Sequence, residues 1–158
     1  MRTLTRSLVA GVAGTALMTA YQLAVKAARG ERLDTPVPRT WDEAEAPAQV
    51  VKKTARLLGR GRAITKRHAP LATQVMHWLY GTSWGVAYGI ATSRLRPSPL
   101  TGAASLGVSV WAAAYIELVP LGIYEPPWRY PASELGLDLS YHLVYGAGVA
   151  GAYAALDH

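Results

Sequence analysis

The chain contains no cysteine and no phenylalanine. Without cysteine there is no disulfide framework, no thiolate metal site and no thiol nucleophile. Without phenylalanine, and with 15 glycines among 158 residues, alanine and glycine stand where bulkier side chains would otherwise be. That pattern is common where membrane helices pack backbone to backbone. Acid is scarce as well: 10 Asp and Glu stand against 16 Lys and Arg, a formal net charge of +6. A basic excess suits a membrane surface or nucleic acid. No stacking-aromatic module or basic recognition helix accompanies the charge, which argues against nucleic acid. The chain also lacks a nucleophile elbow, a P-loop, a dinucleotide fingerprint, a haem site and the tight His-Glu-x-x-His spacing of a metal site. No metal and no cofactor are therefore expected, and an enzyme is the less favoured reading.

What is present is apolar length. A helix that crosses a bilayer needs about 20 mostly apolar residues. Four stretches qualify, 8–27, 71–92, 100–119 and 139–156, and none contains an internal proline. The expected fold is all-α: a single membrane domain over 1–158, a four-helix bundle with a short amphipathic interfacial helix in its first loop. The first stretch has a rival reading. Arg2 and Arg6 before Leu8–Met18, with small residues at Thr19-Ala20, have the shape of a signal peptide. The apolar character runs on to Ala27, too far for a cleaved segment.

The first loop, 28–70, holds ten Lys or Arg. Thr35-Pro-Val-Pro-Arg39 reads as a stiff, extended exit from the first span. Thr40-Trp-Asp-Glu43 has the spacing of a capping box. Pro47, however, sets the start of a regular helix nearer Ala46. Beyond it Val50, Val51, Ala55, Leu57 and Leu58 alternate with Lys52, Lys53 and Arg56, and Arg60 and Arg62 follow. This pattern describes a helix lying on the bilayer with its cations towards anionic headgroups, or else a solvated basic linker. Trp41, Tyr124, Trp128 and Tyr130 fall in loops, and Trp78 near a span start, where interfacial aromatic belts belong. The ten basic residues favour a cytoplasmic first loop. Arg6, Arg94 and Arg96 favour the opposite orientation. With four spans, the first and third loops share one side either way.

Two sets of residues are candidates for function. Gly81, Gly85 and Gly89 form a double Gly-x-x-x-Gly on one helical face, which admits a second helix at close range, from this chain or from another copy. The second set is polar: Gln22, His77, Glu117 and His142, one in each span and all in the half nearest the first and third loops. Asp138 precedes His142 by one helical turn, so the two can face each other. A carboxylate beside an imidazole can tune a proton carrier or orient a ligating histidine. An acid within lipid is costly and marks Glu117 as a candidate by default. Packing or interfacial roles account for each of these residues equally well.

Pro36-Val-Pro-Arg39, Val119-Pro-Leu-Gly-Ile-Tyr-Glu-Pro-Pro127 and the acid-x-x-x-His-Leu-Val segment from Asp138 to Val144 resemble the YagU-like family of small bacterial inner-membrane proteins. The resemblance covers about half the chain. It implies a multi-pass protein of the inner membrane, with cytoplasmic termini and no established activity. The chain departs from the family in its basic first loop and in lacking a basic C-terminal tail. Three functions then compete. One is a structural or accessory membrane protein, self-associating through the glycine face or joining a larger membrane complex. The others are a small carrier or channel for protons or a small solute, and a membrane enzyme of unknown reaction.

Overall fold

The structure, a computed structural model, describes residues 3–156. Arg2, counted above with the charge before the first span, lies outside them. The described chain is helical, with five α-helices: α1 (Thr3–Ala28), α2 (Ala46–Leu57), α3 (Ala69–Leu95), α4 (Pro99–Leu118) and α5 (Ala132–Ala155). Short 3-10 turns at Gly61–Ala63, Lys66–His68 and Pro127–Arg129 lie in the loops.

Local chemistry sets the helix ends. Pro47, Pro70 and Pro99 each fall in a first turn, where the missing N–H costs nothing. Ser98 caps α4 by accepting a hydrogen bond from the Thr101 amide at 3.1 Å. α3 ends where Arg96 turns left-handed, at φ 47°, immediately before Pro97. α5 begins seven residues ahead of the expected span. Pro131 precedes it and Glu134 lies in its first turn, where the helix dipole favours an acid. The Thr40–Glu43 spacing does not cap a helix. Glu43 instead accepts from the Arg39 amide at 3.1 Å, and α2 starts at Ala46.

Two of the long helices, α1 and α4, are long and apolar enough to cross a membrane. α3 and α5, at 27 and 24 residues, have the length but not the composition. Glycine, threonine, serine and tyrosine dilute α3, and Glu134, Asp138 and His142 dilute α5. α1 packs against both α3 and α5, and α4 packs on α5. α3 and α4 approach each other at few residues, which leaves a seam between them.

The core follows from small residues. Ala10, Leu106, Val110, Val149 and Ala150 fill it with the rings of Tyr88, Tyr145 and Tyr153. Large aliphatic side chains point the other way. Leu4, Leu8, Val12 and Leu17 on α1, Leu71, Val75, Leu79 and Ile90 on α3, and Leu100, Val108 and Ile116 on α4 are all exposed.

α2 departs from the expected helix lying flat on lipid. Ala48 on its apolar face is fully buried against Ala69 and Ala72 of α3, beside Trp41 and Val51. Protein therefore covers that face, and the apolar residues left exposed are Leu57 and Leu58 at its end. Lys53 Nζ donates to the Leu121 carbonyl, tying α2 to the loop between α4 and α5.

Candidate functional site

The three glycines of α3 face α1. A Cβ on Gly85 would be driven into the backbone of Gly11, and one on Gly89 into Ser7. One on Gly81 would strike the Thr15 hydroxyl. α1 of the same chain thus covers the glycine face, and the face is closed to a second copy. The reciprocal site on α1 is Gly11, against Thr82 and Gly85; other helix pairs approach as closely, with Gly14 on α1 meeting Val149 and Tyr145 of α5, and Gly146 on α5 meeting the backbone of Ala103 on α4. Gly151, by contrast, would meet nothing within 4 Å.

Small hydroxyls line the same contacts and bond back to their own helix. Ser7 donates to Thr3 O at 2.7 Å, Thr15 to Gly11 O at 2.8 Å and Thr19 to Thr15 O at 2.8 Å. Each hydroxyl is satisfied without a partner helix, so it can be buried cheaply. Tyr145 crosses the bundle and donates to Gly81 O at 2.5 Å.

The polar cluster is partly assembled. His77 Nε2 lies 3.0 Å from Thr19 Oγ1. The Thr19 proton already goes to Thr15 O, so His77 must donate, and its proton sits on Nε2. On α5, His142 Nδ1 is 2.8 Å from Asp138 O and 3.7 Å from Asp138 Oδ1. Both partners only accept, so the His142 proton is on Nδ1 and a neutral His142 keeps Nε2 free to accept. Tyr115 of α4 donates to the other Asp138 oxygen at 3.3 Å. α1, α3, α4 and α5 thus each supply a polar group. Gln22 is half-buried and makes none of these hydrogen bonds.

Glu117 stands apart. It is exposed on α4 and accepts from the Tyr80 hydroxyl at 3.2 Å, across the open seam to α3. Trp84 packs edge-on against Tyr80 with ring centroids 6.1 Å apart. A cluster of one polar group per span would bring Glu117 to His77 or His142; it bonds to Tyr80 instead. Sequence reasoning also passed over Thr19, Tyr80 and Tyr115 as site residues. They do not ionise near neutral pH, and their only signal was a hydroxyl inside an apolar run. Among the described residues no three His, Asp or Glu side chains are grouped to hold a metal ion.

Above the cluster sits an aromatic lid. Tyr115 packs against Trp111, Tyr124 and Tyr130 with centroids 5.3, 5.5 and 6.1 Å away. Burial raises the Tyr124 phenol to about 12, and the charge of Asp138 adds to the shift.

The five cations expected to meet headgroups divide. Lys53 is bound to Leu121 O, as described. Lys52 Nζ donates to Gly61 O and Ile64 O, each at 2.6 Å, and lies 4.9 Å from the centre of the Trp41 ring. Lys52, Arg56 and Arg62 line an open cleft of about 480 Å³ with Gly59 and Gly61. Arg60 lies outside it. A second cleft, of about 310 Å³, runs between the Thr35–Arg39 segment and the start of α3. No protein-family model, no curated protein and no solved structure matches the chain.

Proposed function

We propose that the chain is a multi-pass protein of a bacterial inner membrane, with four spans formed by α1, α3, α4 and α5 and a structural or accessory role. The observation that carries this reading is the inverted distribution of side chains. Glycine, alanine, serine and threonine, with the rings of Tyr88, Tyr145 and Tyr153 and the aliphatics Leu106, Val110 and Val149, fill the helix contacts, while Leu4, Leu8, Val12 and Leu17 on α1, Leu71, Val75, Leu79 and Ile90 on α3, and Leu100, Val108 and Ile116 on α4 project outward. A water-soluble bundle of this size would bury those aliphatics rather than display them. The hydroxyls that bond within their own helices, and the glycine contacts, are what helix association in lipid requires. Membership of the YagU-like family is part of the proposal and rests on the Pro36–Arg39, Val119–Pro127 and Asp138–Val144 segments.

The accessory role follows from the position of Glu117. It faces outward at the α3–α4 seam, where a partner protein would reach it, rather than inward where a translocated ion would. The glycine face is occupied within the chain, so any association uses the outer surface. Reporter fusions after Arg60, Ser98 and Arg129 and at the C-terminus test the span count. Arg60 and Arg129 are expected in one compartment, and Ser98 and the C-terminus in the other. Arg60 and Arg129 in different compartments would refute four spans.

The Tyr115–Asp138–His142 group beside His77 supports a second reading, a small proton carrier. Proton flux into vesicles containing the purified protein separates the two. The accessory role expects no flux above that of empty vesicles. The carrier expects flux that disappears in Asp138→Asn.

A further inference from the structure

The geometry points to the cleft at the end of α2 as a binding site for a phosphate group, supplied by the headgroup of an anionic phospholipid whose chains lie along Leu57 and Leu58. The assignment of a lipid source rests on the membrane reading above; the phosphate site does not.

Three observations converge there. The first is charge. Residues 46–68 contain seven Lys or Arg and no Asp or Glu, so no internal acid neutralises the cleft. The second is fixed placement. α2 ends in Gly59 at φ 71°, with Arg60 N bonded back to Ala55 O at 2.7 Å. That backbone turns Gly61 under α2, and a Cβ there would collide with Arg56, so the Arg56 stem lies over glycine. Lys52 is held from below by the Gly61 and Ile64 carbonyls, and Arg62 enters from the following turn. The helix end itself carries partial negative charge, which disfavours an anion. The Leu58, Gly59 and Arg60 amides take up the Thr54, Arg56 and Ala55 carbonyls there, and three full cations outweigh what remains. The third is the wall beside the cleft. Leu57 and Leu58 are 84% and 71% exposed, an apolar step next to three cations.

The chemistry fits a tetrahedral phosphate. Two guanidinium forks can each give paired N–H bonds to phosphate oxygens, and the lysine adds a point charge. Three cations on one anion favour a phosphomonoester, which carries up to two charges, over a phosphodiester, which carries one. An acyl chain would cover leucines that are otherwise exposed. Lys53 does not take part, since it does not line the cleft and reaches Leu121 instead, whereas Lys52, with two of its three protons on Gly61 O and Ile64 O, keeps one to donate.

The test uses the full chain in neutral detergent, with dihexanoyl phosphatidic acid as the probe and binding read by calorimetry. Saturable binding is expected, weakened at least ~10-fold in Arg56→Gln/Arg62→Gln. The charge-matched pair Arg60→Gln/Arg67→Gln, outside the cleft, is expected to bind as the parent does. Equal loss in both pairs would mean diffuse surface charge and would overturn the site. Dihexanoyl phosphatidylglycerol is expected to bind more weakly; equal affinity would overturn the monoester preference. Inorganic phosphate alone is expected to bind more weakly than the lipid. If it binds as tightly, the lipid source is wrong. Should Arg56→Gln disturb the loop, shown by a lowered melting temperature without probe, the exposed Arg62→Gln alone carries the comparison. Reporter fusions that failed to alternate would remove the four-span reading and leave these binding outcomes intact.

Discussion

At the residue scale, glycines of the same type have opposite roles. Gly85 has another helix's backbone where its Cβ would go, and backbone cannot rotate aside. Gly85→Ala is expected to cost about 1–3 kcal/mol, as overpacking does, and to lower the melting temperature in detergent. Gly151 has open space and a helical backbone. There Gly151→Ala is expected to stabilise by roughly 0.5–1 kcal/mol, through helix propensity alone. Thermal unfolding of both variants checks the pair; an unchanged or raised melting temperature in Gly85→Ala would mean that α1 does not lie against α3 as described, and a lowered one in Gly151→Ala that Gly151 is covered. Glu117 is the other residue-scale case. Its hydrogen bond to Tyr80 is exposed, so Glu117→Gln is expected to stay within about 0.5 kcal/mol of the parent. A large loss would mean that Glu117 is enclosed in the functioning protein.

At the element scale, the helices were legible and their ends less so. Apolar runs mark where lipid or core is needed, but a helix continues wherever its backbone is satisfied. α5 therefore extends from Leu139 back to Ala132, through polar residues that apolarity cannot register. The glycine spacing on α3 was legible because three small residues at four-residue intervals share a face whatever the partner. The partner itself was not legible, since α1 carries only Gly11 at the matching depth, with Ser7 and Thr15 beside it. The loop after α4 yields a pH prediction. Tyr124 titrates near 12 when folded and at about 10 when unfolded. A raised phenol favours the folded state fully below about 10, and that contribution fades as pH rises towards 12. Ultraviolet titration is expected to show one fewer late-ionising phenol in Tyr124→Phe than in the parent. If Tyr124→Phe removes only a transition near 10, the lid is open in solution.

At the scale of the whole molecule, the arrangement of contacts bears on how the protein is made. α1 is synthesised first, yet its two main partners are α3 and α5, and α5 is the last helix. Until α3 emerges, the Ser7–Gly11–Thr15 face of α1 has no protein against it. Until α5 emerges, Gly14 faces nothing and α4 lacks its principal neighbour. The first helix pairs, α1 with α3 and α2 with α3, can close only once α3 has emerged. Part of the small-residue surface of α1 stays uncovered until α5 emerges. Contacts this far apart in sequence are costly to form early, since loop closure comes before any reward. The bundle is therefore expected to be completed late, and a ribosome stalled before α5 would leave the Gly14 side of α1 and the α5-facing side of α4 uncovered.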